Sequence, residues 1–229
     1  MLKALSKELN GIVTQLWYFD VESVQKKEFD YLLDSMPFEF KTDILRYKFV
    51  KDQKLKLYGR ILVQRYCMLN NIPFNWSLWK NSSTGKPFVE GIHFNISHSG
   101  TLVVVGFSQK EIGVDVEHIK SVDISGLIDY LHEDEKKYVE LSTDKTEAFY
   151  HVWTRKEAYL KLKGEGIVNG LNHENCLPKI VLDDSRKEYA IQSLPITQDY
   201  ILSICQEYTN GNTFSFDIVP KSINDLKII

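Results

Sequence analysis

The order of elements along the chain occurs twice. A strand-like run, GIVTQLWYFDV at 11–21, precedes a basic helical stretch beginning near Lys41 and a second at 54–69, KLKLYGRILVQRYCML. Two strand-like runs follow, GIHFNIS and TLVVVGFS, joined by HSG, which has the length and the glycine of a hairpin connection. The order then restarts. EIGVDVEHI reads as a strand, 123–131 as a helix, and 145–163 as a long helix stopped by GEG. KIVLDD, YILSICQEY and TFSFDIV read as strands, with TNGN as the turn between the last two. Elements grouped in this way predict an α+β fold and not a doubly wound parallel sheet. The expectation is two similar α+β halves, 1–110 and 111–229, alike in element order and not in residue-level repeat. No linker rich in Pro, Gly or Ser divides them, so a shared interface with a site in it is expected.

At 229 residues, 43% of them hydrophobic, the chain can bury a sizeable core. The 28 basic and 31 acidic residues leave a formal charge of −3, which gives no global signature of a nucleic-acid-binding protein. No stretch approaches roughly 18 consecutive apolar residues. MLKALSKELNGIV also lacks the uninterrupted apolar run and small-residue cleavage site of a leader. A soluble cytoplasmic protein is the expectation, in the compartment that supplies nucleotides, coenzymes and magnesium. Cys67, Cys176 and Cys205 are widely spaced without a CxxC pair and read as buried thiols, with no disulfide framework or zinc site.

Four short stretches could carry chemistry. In GVDVE, strand alternation puts Asp115 and Glu117 on one face and Val114 and Val116 in the core. Two acids in so small a volume are either solvated or bridged by a hard cation. In VWTRKEAYLKLKGEG, helical spacing aligns Trp153, Glu157 and Lys161. Glu157 before Lys161 also fits a surface ion pair worth about 0.2–0.5 kcal/mol. STGKP offers Gly85, a Lys86 cation and a rigid exit at Pro87, without the P-loop pattern. FNISHSG sets Ser97, His98 and Ser99 at a strand end, where phosphate contact or turn hydrogen bonding suits them better than a Ser-His nucleophile pair.

Together, in this order, the motifs resemble the Sfp-type 4'-phosphopantetheinyl transferases. That family's hallmarks are GxDxE, here Gly113, Asp115 and Glu117, and WxxKExxxK, here Trp153, Lys156, Glu157 and Lys161. The likeness runs from about Lys41 to Gly166, takes in GKP and FNISHS, and keeps about forty residues between the two main motifs. It implies a pseudo-twofold pair of α+β halves with the active site between them. It implies transfer of the 4'-phosphopantetheine arm of coenzyme A to a serine of an acyl, peptidyl or aryl carrier protein, releasing adenosine 3',5'-bisphosphate. Such an enzyme would be of the holo-[acyl-carrier-protein] synthase type, dependent on Mg2+ and monomeric, with no nucleic-acid or membrane partner.

By the same resemblance Asp115, Glu117 and Glu157 bind the metal, and Lys161 faces the pyrophosphate. Gly85, Lys86, Ser97 and His98 contact the coenzyme, and Lys41 and Arg46 its 3'-phosphate, with Lys54 or Lys56 able to substitute. Glu135 matches the position of the family's base, a task that water can also fill. The carrier meets the segment 119–138, whose Ile124, Leu127, Ile128 and Leu131 recur at helical spacing and equally suit a core. Carboxylates with lysines also fit a magnesium-dependent phosphodiesterase or nuclease. A non-catalytic coenzyme A-binding module is a further alternative.

Overall fold

The run at 102–108 alternates between two buried faces, and the layers are arranged around it. The computed structural model describes residues 13–164, 172–209 and 215–226. Strand β1 (Val13–Asp20) leads into helices α1 (Lys26–Asp34), α2 (Phe38–Leu45) and α3 (Val50–Leu69). The short strands β2 (Lys80–Asn81) and β3 (Pro87–Phe88) follow, then β4 (His93–Ser99), β5 (Leu102–Ser108) and β6 (Ile112–His118). Helices α4 (Ser125–Ile128), α5 (Glu133–Leu141) and α6 (Lys145–Lys163) precede β7 (Ile180–Leu182), β8 (Glu188–Thr197), β9 (Tyr200–Glu207) and β10 (Ser215–Pro220).

Along β5, Val103, Val105 and Phe107 pack with Leu55, Tyr58 and Leu62 of α3. Leu102 and Val104 instead meet Val114 and Val116 of β6 and Leu202 and Ile204 of β9. Each such buried aliphatic side chain contributes roughly 1.5–3 kcal/mol. The result is a helix, two face-packed sheets and a second helix. The first sheet runs β10-β1-β5-β4 and the second β6-β9-β8-β7. Helix α6 covers the outer face of the second sheet through Ala158, Tyr159 and Leu160, which pack with Tyr189, Ile191 and Cys205. It starts where Asp144 accepts the Glu147 N–H and stops at Gly164, whose left-handed backbone suits a residue without a side chain.

The mixed α+β class agrees with the element order read from sequence, and several details differ. Strand β10 pairs in parallel with β1, so the last two strands lie in different sheets and TNGN joins no hairpin; most of that turn lies outside the described residues. The amino-terminal segment 1–12 and the end of GEG lie outside them too. The helix expected at 123–131 is only the short turn α4, while α1 and β8 form where no element was expected. Strand β8 contains Pro195, which argues against a central strand, but β7 pairs only with Glu188–Ala190 and leaves position 195 on an open edge. All three thiols are buried. None of the described helices is long and apolar enough to cross a membrane.

Candidate active site at the seam of the two sheets

The site begins with a close approach. A Cβ added at Gly113 would lie 1.8 Å from the carbonyl oxygen of Ala158, so α6 rests directly on the backbone of β6. Glycine is required there by contact with the helix. With Val114 and Val116 turned into the inter-sheet core, Asp115 faces α6 and meets Lys161, whose Nζ is 2.6 Å from Asp115 Oδ1. The adjacency that strand and helix periodicity each predict thus becomes one cluster.

The other wall of the site is β4. Asn95, Ser97 and Ser99 accept the backbone N–H groups of Val114, Val116 and His118 at 3.0, 3.2 and 3.1 Å. The Ser97 hydroxyl donates to Asp115 Oδ1 at 2.9 Å, and Ser99 donates to Glu117 Oε2 at 2.6 Å. Lys161 also donates to Ser97 Oγ at 3.0 Å.

Asp115 is 3% exposed and Glu157 7%, so neither belongs to a wet strand face or a surface ion pair. Burial raises the Asp115 carboxyl above its ordinary range, against the opposing pull of Lys161 and Ser97. Glu117 is raised by burial and by the field of Asp115, with Ser99 acting the other way. Glu157 is pushed up to about 7, first by burial and then by Asp115 and Glu117. The three acids therefore share one unfavourable field.

Two oxygens in this group, Asp115 Oδ2 and Glu157 Oε1, are buried without a hydrogen-bond partner. Hard oxygen donors, mutual repulsion and orphaned buried acceptors are what a hard divalent cation relieves, so the residues fit one by their chemistry. Among the described residues, no group of three or more His, Cys, Asp or Glu side chains stands preassembled for a metal. The Lys161 ammonium takes up Asp115 Oδ1 instead.

The raised carboxyl of Glu157 has a signed consequence for stability. The folded state holds this proton more tightly than the unfolded chain does. The contribution is therefore fully present below about pH 4.5 and is lost as pH rises through about 7. At about 1.4 kcal/mol per unit, the loss amounts to about 3 kcal/mol. In protein kept free of divalent cations, Glu157→Gln is expected to be the more stable form at pH 8 and to gain little at pH 5. Urea denaturation at the two pH values checks this, and an equal effect at both would contradict it.

STGKP forms the turn between β2 and β3. Gly85 has φ +83°, and the Ser82 and Lys86 backbones hydrogen-bond across the loop. Thr84, Gly85, Lys86, Asn95, Ile96 and Lys161 line a cleft of about 260 Å³. The Lys86 ammonium is 2.9 Å from Glu111, whose other oxygen meets His93. A larger cavity of about 1190 Å³, beside Tyr66, Phe88 and His93, is lined by neither Lys86 nor Lys161. The smaller cleft adjoins the acid cluster through Lys161, which is bound to Asp115.

His98 meets solvent, yet the surrounding protein and the cations of Lys161 and Lys56 hold its imidazole below the usual range. Lys56 of α3 thus acts on His98, and it has an acid of its own in Asp43 at 3.9 Å. Lys41 and Arg46 are engaged elsewhere, with Asp34 at 2.8 Å and Asp43 at 3.0 Å. Ser97 is 4% exposed with its hydroxyl committed to Asp115, so its side chain does not meet the cleft as expected of a coenzyme contact.

Glu135 requires a correction. Expected as the base, it is fully buried and paired with Lys156 at 2.8 Å. Its Oε1 accepts the Cys176 N–H at 2.8 Å and its Oε2 the His132 N–H at 3.0 Å, closing the capping box of α5. Both oxygens are spent, and no face is left for a substrate. The Lys156 ammonium also donates to the Glu174 carbonyl at 2.6 Å.

The model of the 4'-phosphopantetheinyl transferase superfamily matches residues 111–211, and that of the 4'-phosphopantetheinyl transferase N-terminal region matches 23–110. The chain belongs to the Sfp-type 4'-phosphopantetheinyl transferase family. It is 29% identical to 4'-phosphopantetheinyl transferase gsp of Aneurinibacillus migulanus over 84% of this chain and 85% of that one. It is 28% identical to psf-1 of Bacillus pumilus over 79% and 82%, and 27% identical to Sfp of Bacillus subtilis over 79% and 85%. In this family member, sequence reasoning passed over Asn95 and the positions of Ser97 and Ser99 relative to β6. The alternation N-I-S-H-S was the available signal, since residues two apart on β4 share a face. The Glu135–Lys156 pair had no local signal.

Proposed function

We propose that the protein transfers the 4'-phosphopantetheine arm of coenzyme A to a serine of an apo carrier protein, acyl or peptidyl, releasing adenosine 3',5'-bisphosphate. The observation that carries this reading is one juxtaposition. Three carboxylates share one electrostatic field, two of them with unpaired buried oxygens, and one of the three, Asp115, binds a lysine that also lines the cleft beside Gly85 and Lys86. Asp115, Glu117 and Glu157 would hold Mg2+, which when bound supplies positive charge at the coenzyme's pyrophosphate.

The remaining work belongs to the chain itself. Lys161 neutralises Asp115 in the free protein. With coenzyme in the cleft, its ammonium exchanges that acid for the pyrophosphate and stabilises the charge that builds on the bridging oxygen. Gly85 and Lys86 receive the nucleotide portion, and His98 with Lys56 its phosphates. Lys41 and Arg46 reach a phosphate only by giving up their own acids. The carrier's serine oxygen bonds to the phosphorus bearing the pantetheine arm as the bridging oxygen leaves, and the serine proton passes to water. Val122, Leu127, Tyr130, Tyr138 and Leu141 remain exposed along 119–141 and suit an apolar contact with the carrier, while Leu131 is core.

On this reading the halves 1–110 and 111–229 each supply one wall, β4 from the first and β6 with α6 from the second, in a cytoplasmic monomer. Holo-[acyl-carrier-protein] synthase activity is this transfer with an acyl carrier as acceptor. With coenzyme A, Mg2+ and an apo carrier, release of adenosine 3',5'-bisphosphate is expected to match the carrier consumed. Release without a carrier would make the protein a phosphodiesterase, and no release would overturn the reading.

Gly113→Ala tests the same assembly from its backbone. The new Cβ forces α6 away from β6 by roughly 1 Å or more, a displacement that costs about 100-fold in rate at a positioned site. Overpacking adds about 1–3 kcal/mol of destabilisation. Steady-state transfer kinetics and thermal melts are expected to show both losses; wild-type values would contradict the close approach.

A further inference from the structure

We propose that Ser99 is a positioning residue for Glu117, and that Ser97 and Ser99 together form two clamps that aim the acids of β6. The inference rests on the reading above, in which those acids hold the divalent cation.

Strands β4 and β6 are edge strands of their respective sheets, and they meet through side chains. Three β4 side chains, two residues apart, accept three successive outward N–H groups of β6. The pattern is more specific than edge capping requires. Asn95, Ser97 and Ser99 each lie 18 residues before Gly113, Asp115 and Glu117 respectively. A hydroxyl stands where the strand carries an acid, and an amide stands where it carries glycine.

The chemistry accounts for that match. A serine hydroxyl has one donor and two lone pairs, so it accepts from a backbone N–H and donates to a carboxylate at the same time. Ser97 does this between Val116 N–H and Asp115 Oδ1, and Ser99 between His118 N–H and Glu117 Oε2. Each clamp fixes one carboxylate oxygen to the strand's own backbone and so leaves the second oxygen for a ligand. Asp115 has Lys161 as a further partner. Glu117 has a longer, freer side chain, and among the described residues its hydrogen bond is to Ser99. Ser99 is therefore the clamp whose removal is least compensated.

The test measures metal binding without turnover. Magnesium chloride is titrated calorimetrically into the protein saturated with coenzyme A, with no carrier present. Hydrogen-bond partners of metal ligands typically account for about 10- to 100-fold in metal affinity. Ser99→Ala is expected to raise the magnesium Kd at least about tenfold. Ser99→Thr, which keeps the hydroxyl, is expected to restore it. Should the alanine form fail to fold, Ser99→Cys, a near-isostere with a weak donor, is expected to show the same weakening. A purely structural Ser99 would lower the melting temperature of the alanine form and leave its magnesium Kd at the wild-type value. That result, with wild type still binding magnesium and modifying a carrier, overturns the inference and leaves the proposed function standing. Wild type that binds no magnesium removes the metal assignment and this inference with it.

Discussion

Asp115→Ala is expected to abolish transfer, with a fall of about 1,000-fold or more, equivalent to about 4 kcal/mol of lost transition-state stabilisation. The side chain has two partners to lose, and a free oxygen besides. Its Oδ1 accepts from Lys161 and Ser97, and its Oδ2 is one of the two orphaned oxygens available to a cation. Its removal releases Lys161 and leaves the Ser97 hydroxyl with one partner fewer. Stability should change far less. Burial already opposes the ionised form of Asp115, so deletion removes a cost along with the contacts. The Lys161 side chain is 30% exposed and can turn to water. Transfer kinetics beside a denaturation curve check this. Near-normal turnover would show that Asp115 is no ligand, and an unfolded protein would show that the acid cluster is structural.

The largest expected effect on stability lies at Glu135→Gln. Its partner Lys156 is 2% exposed, and the change leaves that buried ammonium with the Glu174 carbonyl but no counter-charge. Breaking a buried ion pair from one side costs about 3–5 kcal/mol, a large share of the 5–15 kcal/mol that typically holds a domain together. For a chain of this size the melting temperature should fall by on the order of 10 °C. The folded fraction is expected to keep nearly wild-type transfer at low temperature. The double variant Glu135→Gln with Lys156→Met should recover much of the loss, because no bare charge remains. A base at this position would give the opposite pattern, with activity lost at unchanged stability.

What the sequence made legible was short-range. Alternation placed Asp115 and Glu117 on one face and Val114 and Val116 in the core, and helical spacing aligned Glu157 with Lys161. The positions hardest to read depend on distant partners. Glu135 is held by Lys156 and by the Cys176 N–H, 21 and 41 residues along the chain, and its own surroundings HEDEKKY contain neither partner. Strand β10 joins the first sheet although it follows the second, a crossover that local pattern does not encode. Strand β8 was hidden by a proline that an open edge tolerates. Gly113 could be recognised as a motif residue, while its reason, the carbonyl of Ala158, belongs to a helix turn some 45 residues on. The expected ion-pair alternative for Lys161 went to the wrong acid for the same cause, since only the packed helix shows that Asp115 is within reach.

On the proposed function, acids from a strand and a helix hold the cation that coenzyme A transfer requires. Its most direct test is the intact mass of an apo carrier protein incubated with coenzyme A and the chelator-treated protein, before and after magnesium is restored. No mass gain is expected without the metal, and a full phosphopantetheine adduct once it returns. A carrier fully modified in the presence of chelator would contradict it.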